Sequence, residues 1–312
     1  MRKDPPPSSH SRHVAIATLA VFLLVPGLKL TMAAEQKTFP TPRAAITALV
    51  VAMSARASDQ VFAILGPELE AFVSTRDKPQ NEIDRQDFLD DSTIIRFEKK
   101  AGGSNEMIAY LGKTEWPFPA PLVKTASGWK FDGRAALQEI QDRQIGRNEV
   151  GAIAACQAYI DAQFEYFSKA RMDDGYLQFA QRINSTAGKF DGLYWSNANG
   201  EDESPIGPFS AQAAGAELEP PDEVPFSGYY FKILNAQGES AVGGERSYLV
   251  DGRMITGFAL VAWPAEYRGT GVATIICNQL GIVYQQDLGP DTAQIARKMN
   301  QFNPGNAWTK VE

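Results

Sequence analysis

The sequence predicts an α+β protein of two domains, each built from helices packed on an antiparallel sheet. Three observations carry that expectation. Apolar residues recur every three or four positions over 46–53 and again over 153–167, the spacing of one helical face. After each of these stretches the period falls to two, in short runs rich in Val, Ile, Tyr and Phe. Helices therefore precede strands in both halves, the order of an α+β chain rather than of alternating βαβ units. At 312 residues, 44% hydrophobic and 21% charged, the chain is long and apolar enough for two packed cores.

The first 34 residues stand apart. Arg2, Lys3 and Arg12 precede an apolar run from Val14 to Val25, which Pro26-Gly27 ends, and Thr31-Met32-Ala33-Ala34 offers small residues for a signal peptidase. A run of twelve residues rises only about 18 Å as a helix, against a hydrocarbon core of roughly 30 Å. Residues 1–34 are thus expected to be a cleaved signal peptide. The product would be periplasmic or secreted from a bacterium, with no stable membrane span after cleavage. No cysteine lies near the cut to take a lipid.

Cleavage changes the charge. The whole chain has 30 Lys/Arg and 37 Asp/Glu; the leader takes four basic residues and one acid, leaving 26 and 36, a net charge of −10. An acidic chain without a basic run has no electrostatic footprint for nucleic acid. Both histidines, His10 and His13, leave with the leader. The remainder has no imidazole for a Ser-His-Asp or Cys-His mechanism or for the usual zinc site, and two cysteines are too few for an all-thiolate one. No cofactor or metal site and no catalytic residue is assigned, and the reading leans away from an enzyme.

The first domain is expected over 35–146. Thr41-Pro42 reads as helix cap and first helical residue, followed by Ile46, Leu49, Val50 and Met53. A short helix from Asp59 ends at Gly66-Pro67. Residues 74–91 are polar and read as irregular, apart from a turn around Asp87–Leu89. Strands follow at 92–100, 107–113, 120–125 and 128–132. This arrangement is similar to the cone-shaped nuclear-transport-factor-two-like fold, which implies a small-ligand cavity with carboxylates, Tyr or Lys as working groups.

The second domain is expected over 147–312. A helical pattern from Arg134 is interrupted near Gly146–Asn148, where Asn148 or a neighbour is placed to cap a new helix. That helix carries Ile153, Cys156, Ile160, Phe164 and Phe167 on one stripe. A loop-rich stretch over 184–225 holds a spacer at Pro220-Pro221. Strands are then expected at 227–234, 246–250, 254–263, 271–278 and 281–287, pairing as an antiparallel meander. Asp251-Gly252 marks a tight hairpin and Leu280-Gly281 a weaker one.

"LVAWPAEYRGTG" (260–271) poses the one choice between chemistry and architecture. A phosphate loop follows a strand and opens a helix, so that helix-end amides face the anion. Here Gly269-Thr270-Gly271 runs into the β-branched "VATIICN", with neither the Lys-Ser/Thr of a Walker loop nor a third glycine. It reads as a hairpin connection whose glycines supply unusual backbone angles.

In order along the chain, "DGYLQFAQRI", "GKFDGLYW", "ESPIGPF", "GYYFKIL", "GFALVAWPAEYRGTGVATIICNQLGIVYQQDLG" and "FNPGNAW" resemble the bacterial exported proteins grouped as domain of unknown function 2950. The resemblance covers nearly all of the chain after the leader and implies no activity. The second half also resembles, more loosely, the heads of type IV pilins and pseudopilins, which implies a long helix lying on an antiparallel meander. Those proteins begin with the apolar half of that helix, whereas here a folded domain precedes it.

Ser127 and Lys130 fit S-x-x-K but span a turn and a strand, where side chains three apart face oppositely. Asp173-Asp174 and the acids of 201–203 read as hydrated loop carboxylates rather than a calcium site. Cys156 and Cys277 are expected to approach one another, as a disulfide or as buried thiols. Tyr194, Trp195, Tyr267 and Arg268 lie in expected loops and are the candidate partner surface, for an envelope protein or a glycan component. The functional expectation is an exported envelope protein acting as a non-catalytic binding or assembly module. The alternative is a small-ligand-binding protein or histidine-independent hydrolase using a cavity in the first domain.

Overall fold

The computed structural model describes residues 36–70, 78–100, 105–195, 203–206 and 225–311. The expected leader, the acids Glu201 and Asp202 and the Pro220-Pro221 spacer lie outside the described residues.

Helix α1 (Pro42–Ser54) begins as its sequence dictates: Thr41 Oγ1 accepts the Ala44 amide at 3.1 Å, with proline in the first turn. Ile46 and Leu49 are fully buried. Helix α2 (Ser58–Leu65) stops at Gly66, whose φ of 114° suits glycine. The stretch expected to be irregular is instead helix α3 (Lys78–Asp91). Phe88 is its one buried apolar residue among the described ones, with only Leu89 packed beside it against the core, so it carries no apolar stripe for a periodicity argument to find.

Strands β1 (Ile95–Lys99), β2 (Glu106–Leu111), β4 (Leu122–Thr125) and β5 (Gly128–Phe131) form an antiparallel sheet in the order β1-β2-β4-β5, with the short β3 (Trp116–Pro117) beside β2. Phe39 pairs with Trp129 and ties the chain's approach to α1 onto β5.

Helix α4 (Gly133–Phe167) is continuous, capped by Asp132, whose Oδ1 accepts the Ala135 amide at 3.0 Å. The expected break at Gly146–Asn148 does not occur. A mid-helix glycine costs about 1 kcal/mol relative to alanine, which packing along thirty-five residues absorbs. Asn148 does not cap; its Nδ2 donates to Thr270 O at 2.8 Å. The boundary expected at 146/147 therefore falls inside one helix. That helix enters two apolar clusters, through Ala136 in the first and through Ala152, Cys156, Tyr159, Ile160 and Tyr166 in the second.

In the second half β6 (Tyr229–Leu234), β11 (Ala259–Pro264), β12 (Ala273–Asn278), β13 (Val283–Asp287) and β15 (Thr309–Lys310) make an antiparallel sheet in the order β15-β13-β12-β11-β6. The meander is interrupted between β6 and β11. There β7 (Ala236–Gln237) and β8 (Arg246–Ser247) join β14 (Gln301–Phe302) in a separate small sheet, in which β14 runs parallel to β7. Strands β9 (Leu249–Val250) and β10 (Arg253–Met254) form the hairpin expected at Asp251-Gly252, both turn residues lying at positive φ, 47° and 79°. The run expected as one strand over 254–263 breaks at Gly257, which has φ of 153° and lies against the Tyr248 ring. A short helix α5 (Thr292–Lys298) follows β13 and packs on β11. No helix among the described residues is long and apolar enough to cross a membrane.

Candidate functional site

The 265–272 connection is a hairpin loop joining the antiparallel β11 and β12. Most of its amides are already engaged. Gly269 and Thr270 donate to Glu266 O at 3.0 and 2.8 Å, Glu266 to Thr270 Oγ1 at 3.0 Å, and Arg268 to Gly271 O at 2.8 Å. The next two, Val272 and Ala273, both donate at 3.0 Å to the carboxylate of Glu149 on α4. The anion facing this loop is the protein's own. Its glycines do not supply backbone angles as expected: the positive φ (61°) belongs to Arg268. Gly271 instead leaves room for the buried Tyr229 ring, which a β-carbon would overlap.

Two expected surface residues remain on this loop. Tyr267 is half-buried and donates to Asp287 Oδ2 at 3.2 Å, and the exposed Arg268 guanidinium stands 5.5 Å from the Tyr267 ring centre. Trp195 is different. It is buried, 5.0 Å from the Phe190 ring and 5.2 Å from the Arg171 guanidinium, so its indole packs into the second core rather than presenting a surface. Tyr194, its neighbour, is half-buried and exchanges backbone hydrogen bonds with Ile183 and Ser185.

Cys156 and Cys277 meet where α4 crosses β12. Both are fully buried free thiols, and Cys277 Sγ donates toward Cys156 O at 3.9 Å. Burial, then the neighbouring Cys156, pushes the Cys277 thiol well above the usual range. Asp174 is not a free loop acid: Arg253 donates to it at 2.9 Å, and that bond first of all holds its carboxyl below the usual carboxylate range. No group of acids, histidines and cysteines fit to hold a metal occurs among the described residues.

Sequence reasoning assigned no residues to the place where the structure opens a ligand-sized space. A cleft of about 1090 Å³ lies in the first half between the end of α1, α2, α3, β3 and the first turns of α4. Its floor is apolar, with Leu69, Phe88, Phe118 and Ala136 all buried. Phe118 sits at the centre of an aromatic group, 5.3 Å from Phe88, 5.9 Å from Phe131 and 6.1 Å from Trp116. Trp116 keeps 39% of its surface exposed at the mouth.

The walls are charged. Glu82 receives Arg56 through two hydrogen bonds of 2.7 and 2.6 Å and Arg85 through two of 3.0 and 2.6 Å. Its hydrogen bonds from Arg85 and then Arg56 lower the Glu82 carboxyl to about 2. On α4, Arg143 bonds Glu139 at 2.7 Å and stands 5.3 Å from the Trp116 ring centre, within cation–π range. One turn on, Arg147 has no carboxylate partner among the described residues. The expected tyrosines and lysines are absent among the described lining residues, and arginines take their place. The sequence signal was available in Ile140, Arg143, Gln144 and Arg147, a helix face at i, i+3, i+4 and i+7 that is neither core nor plain solvent surface.

Together these features define an α+β protein with two cores on one shared helix and a ligand-sized cleft beside the first. The chain belongs to the family described as a protein of unknown function, DUF2950, whose model matches residues 36–311. No curated protein and no solved structure matches it.

Proposed function

We propose that this is an exported, non-catalytic binding module of the bacterial envelope, and that it holds its ligand in the cleft of the first half. One observation carries the reading: a space of about 1090 Å³ with an aromatic floor, where the wall acid Glu82 is locked as a carboxylate by two guanidiniums. A general acid or base works best with a pKa near the operating pH, and Glu82 is driven the opposite way. A ligand-sized space with an apolar floor and charged walls fits binding. Export is supported by the leader-like composition of residues 1–34 and by a family match that starts at residue 36.

The test is ligand-observed NMR of a fragment library against the purified protein and its Gln144→Trp variant, which puts an indole into the cleft from the α4 side. Fragments that bind the wild type and not the variant support the reading. A library with no binder, or binders indifferent to the indole, overturns it.

A further inference from the structure

The charges lining the cleft are not all spent on one another. Arg56 and Arg85 are consumed by Glu82, and Arg143 is shared between Glu139 and Trp116. Arg147 on α4, and Asp87 and Asp91 on α3, line the same cleft and make no side-chain ion pair among the described residues. The two acids are four residues apart on one helix, and Arg143 and Arg147 four apart on another, so each pair shares a helical face. One wall thus presents negative charge, another positive, and the floor presents Phe88 and Phe118.

We infer, resting on the binding reading above, that the cleft takes a short peptide with both termini free and an apolar side chain. Its carboxylate meets Arg147 and Arg143, its ammonium meets Asp87 and Asp91, and its side chain lies on the aromatic floor. A plain anion would be repelled by the aspartates and a plain cation by the free guanidinium. A ligand carrying both charges with an apolar body between them satisfies all three surfaces. Planar guanidiniums suit a carboxylate, and charge-assisted hydrogen bonds are the stronger kind.

The experiment is calorimetric titration of the purified protein with Ala-Phe-Ala in four forms: free, N-acetylated, C-amidated and doubly capped. The free peptide binds tightest and each cap weakens binding about tenfold, as loss of one charge-assisted contact implies. Arg147→Ala lowers the penalty of C-amidation and keeps that of N-acetylation; the double variant Asp87→Asn with Asp91→Asn does the reverse. Both sets of substitutions lie at the rim, and an unchanged melting temperature establishes that they fold. Equal binding of all four forms, or penalties unaffected by the substitutions, overturns the inference. If no peptide binds while fragments still compete with the indole at 144, the peptide assignment fails and the cleft reading stands. If neither binds, both fail.

Discussion

Replacing Gly271 with alanine tests the reading of the glycine-rich loop as architecture. A β-carbon there would lie 2.6 and 2.7 Å from Cζ and Cε2 of Tyr229, and closer still to its hydroxyl. Tyr229 cannot swing aside, being fully buried with its hydroxyl donating to Ala273 O at 2.9 Å. Forcing one methyl into a packed site costs about 1–3 kcal/mol. Burial, the largest cause, followed by the charge of Glu149, raises the Tyr229 phenol above its usual value, as expected for a ring enclosed by this loop. Urea denaturation of the wild type, Gly271→Ala, Tyr229→Phe and the double variant gives a cycle. Removing the hydroxyl takes away the nearest atom, so the alanine penalty should be smaller in the phenylalanine background by about 0.5–1 kcal/mol, within the range seen for coupled neighbours. A penalty below about 0.5 kcal/mol, the usual range of a neutral surface change, would refute the close approach. So would stabilisation of the wild type by millimolar inorganic phosphate, because Glu149 already occupies the amides such an anion would need.

Three further outcomes follow from the same contacts. The Glu82 carboxyl has its pKa lowered from 4.5 to about 2, so its contribution to stability is present above the unfolded value and is lost as pH falls from about 4.5 through about 2; carbon-detected NMR should find this titration, and Arg85→Ala should move it back toward 4.5. The two thiols should resist iodoacetamide at pH 8 in the native protein and both react in 6 M guanidinium, as mass spectrometry of the non-reduced chain would count; a chain two hydrogens lighter, with neither thiol reacting after denaturation, would show that they pair. Gln163 bonds both backbone groups of Ala180, at 2.8 Å each way, and the Tyr159 hydroxyl at 3.0 Å; Gln163→Leu leaves buried groups unpaired at about 1–3 kcal/mol each, measured as a fall in the urea midpoint.

The elements written in periodicity and turn chemistry were legible. Thr41-Pro42, the alternating strands of both halves, and Asp251-Gly252 each encode their geometry within a few residues. What was not legible depends on contacts distant in sequence. Helix α3 is anchored on the core by Phe88 within a polar segment, and α4 runs through Gly146 because both ends are packed. The separation of β7 and β8 from the main sheet depends on β14, which is some sixty residues later than β7. Trp195 looked like a surface residue since its segment is loop, yet the loop folds its indole inward beside Phe190. The cleft was anticipated only as a cavity of the first half. Its residues come from four helices, the two-residue β3 and the connections beside them, an assembly no local pattern announces. Cys156 and Cys277 lie across the helix–sheet contact, Cys156 on the stripe with Ile160 and Cys277 within a β-branched strand.

The central claim is that the first-half cleft is where this protein binds. Its most direct test is a backbone amide chemical-shift map of the isotope-labelled protein, titrated with the tightest fragment or peptide found. The account predicts that the largest shifts fall at residues 114–118 and 140–148, and that Gln144→Trp removes them. Shifts centred instead on the 265–272 hairpin, or surviving the indole, would contradict it.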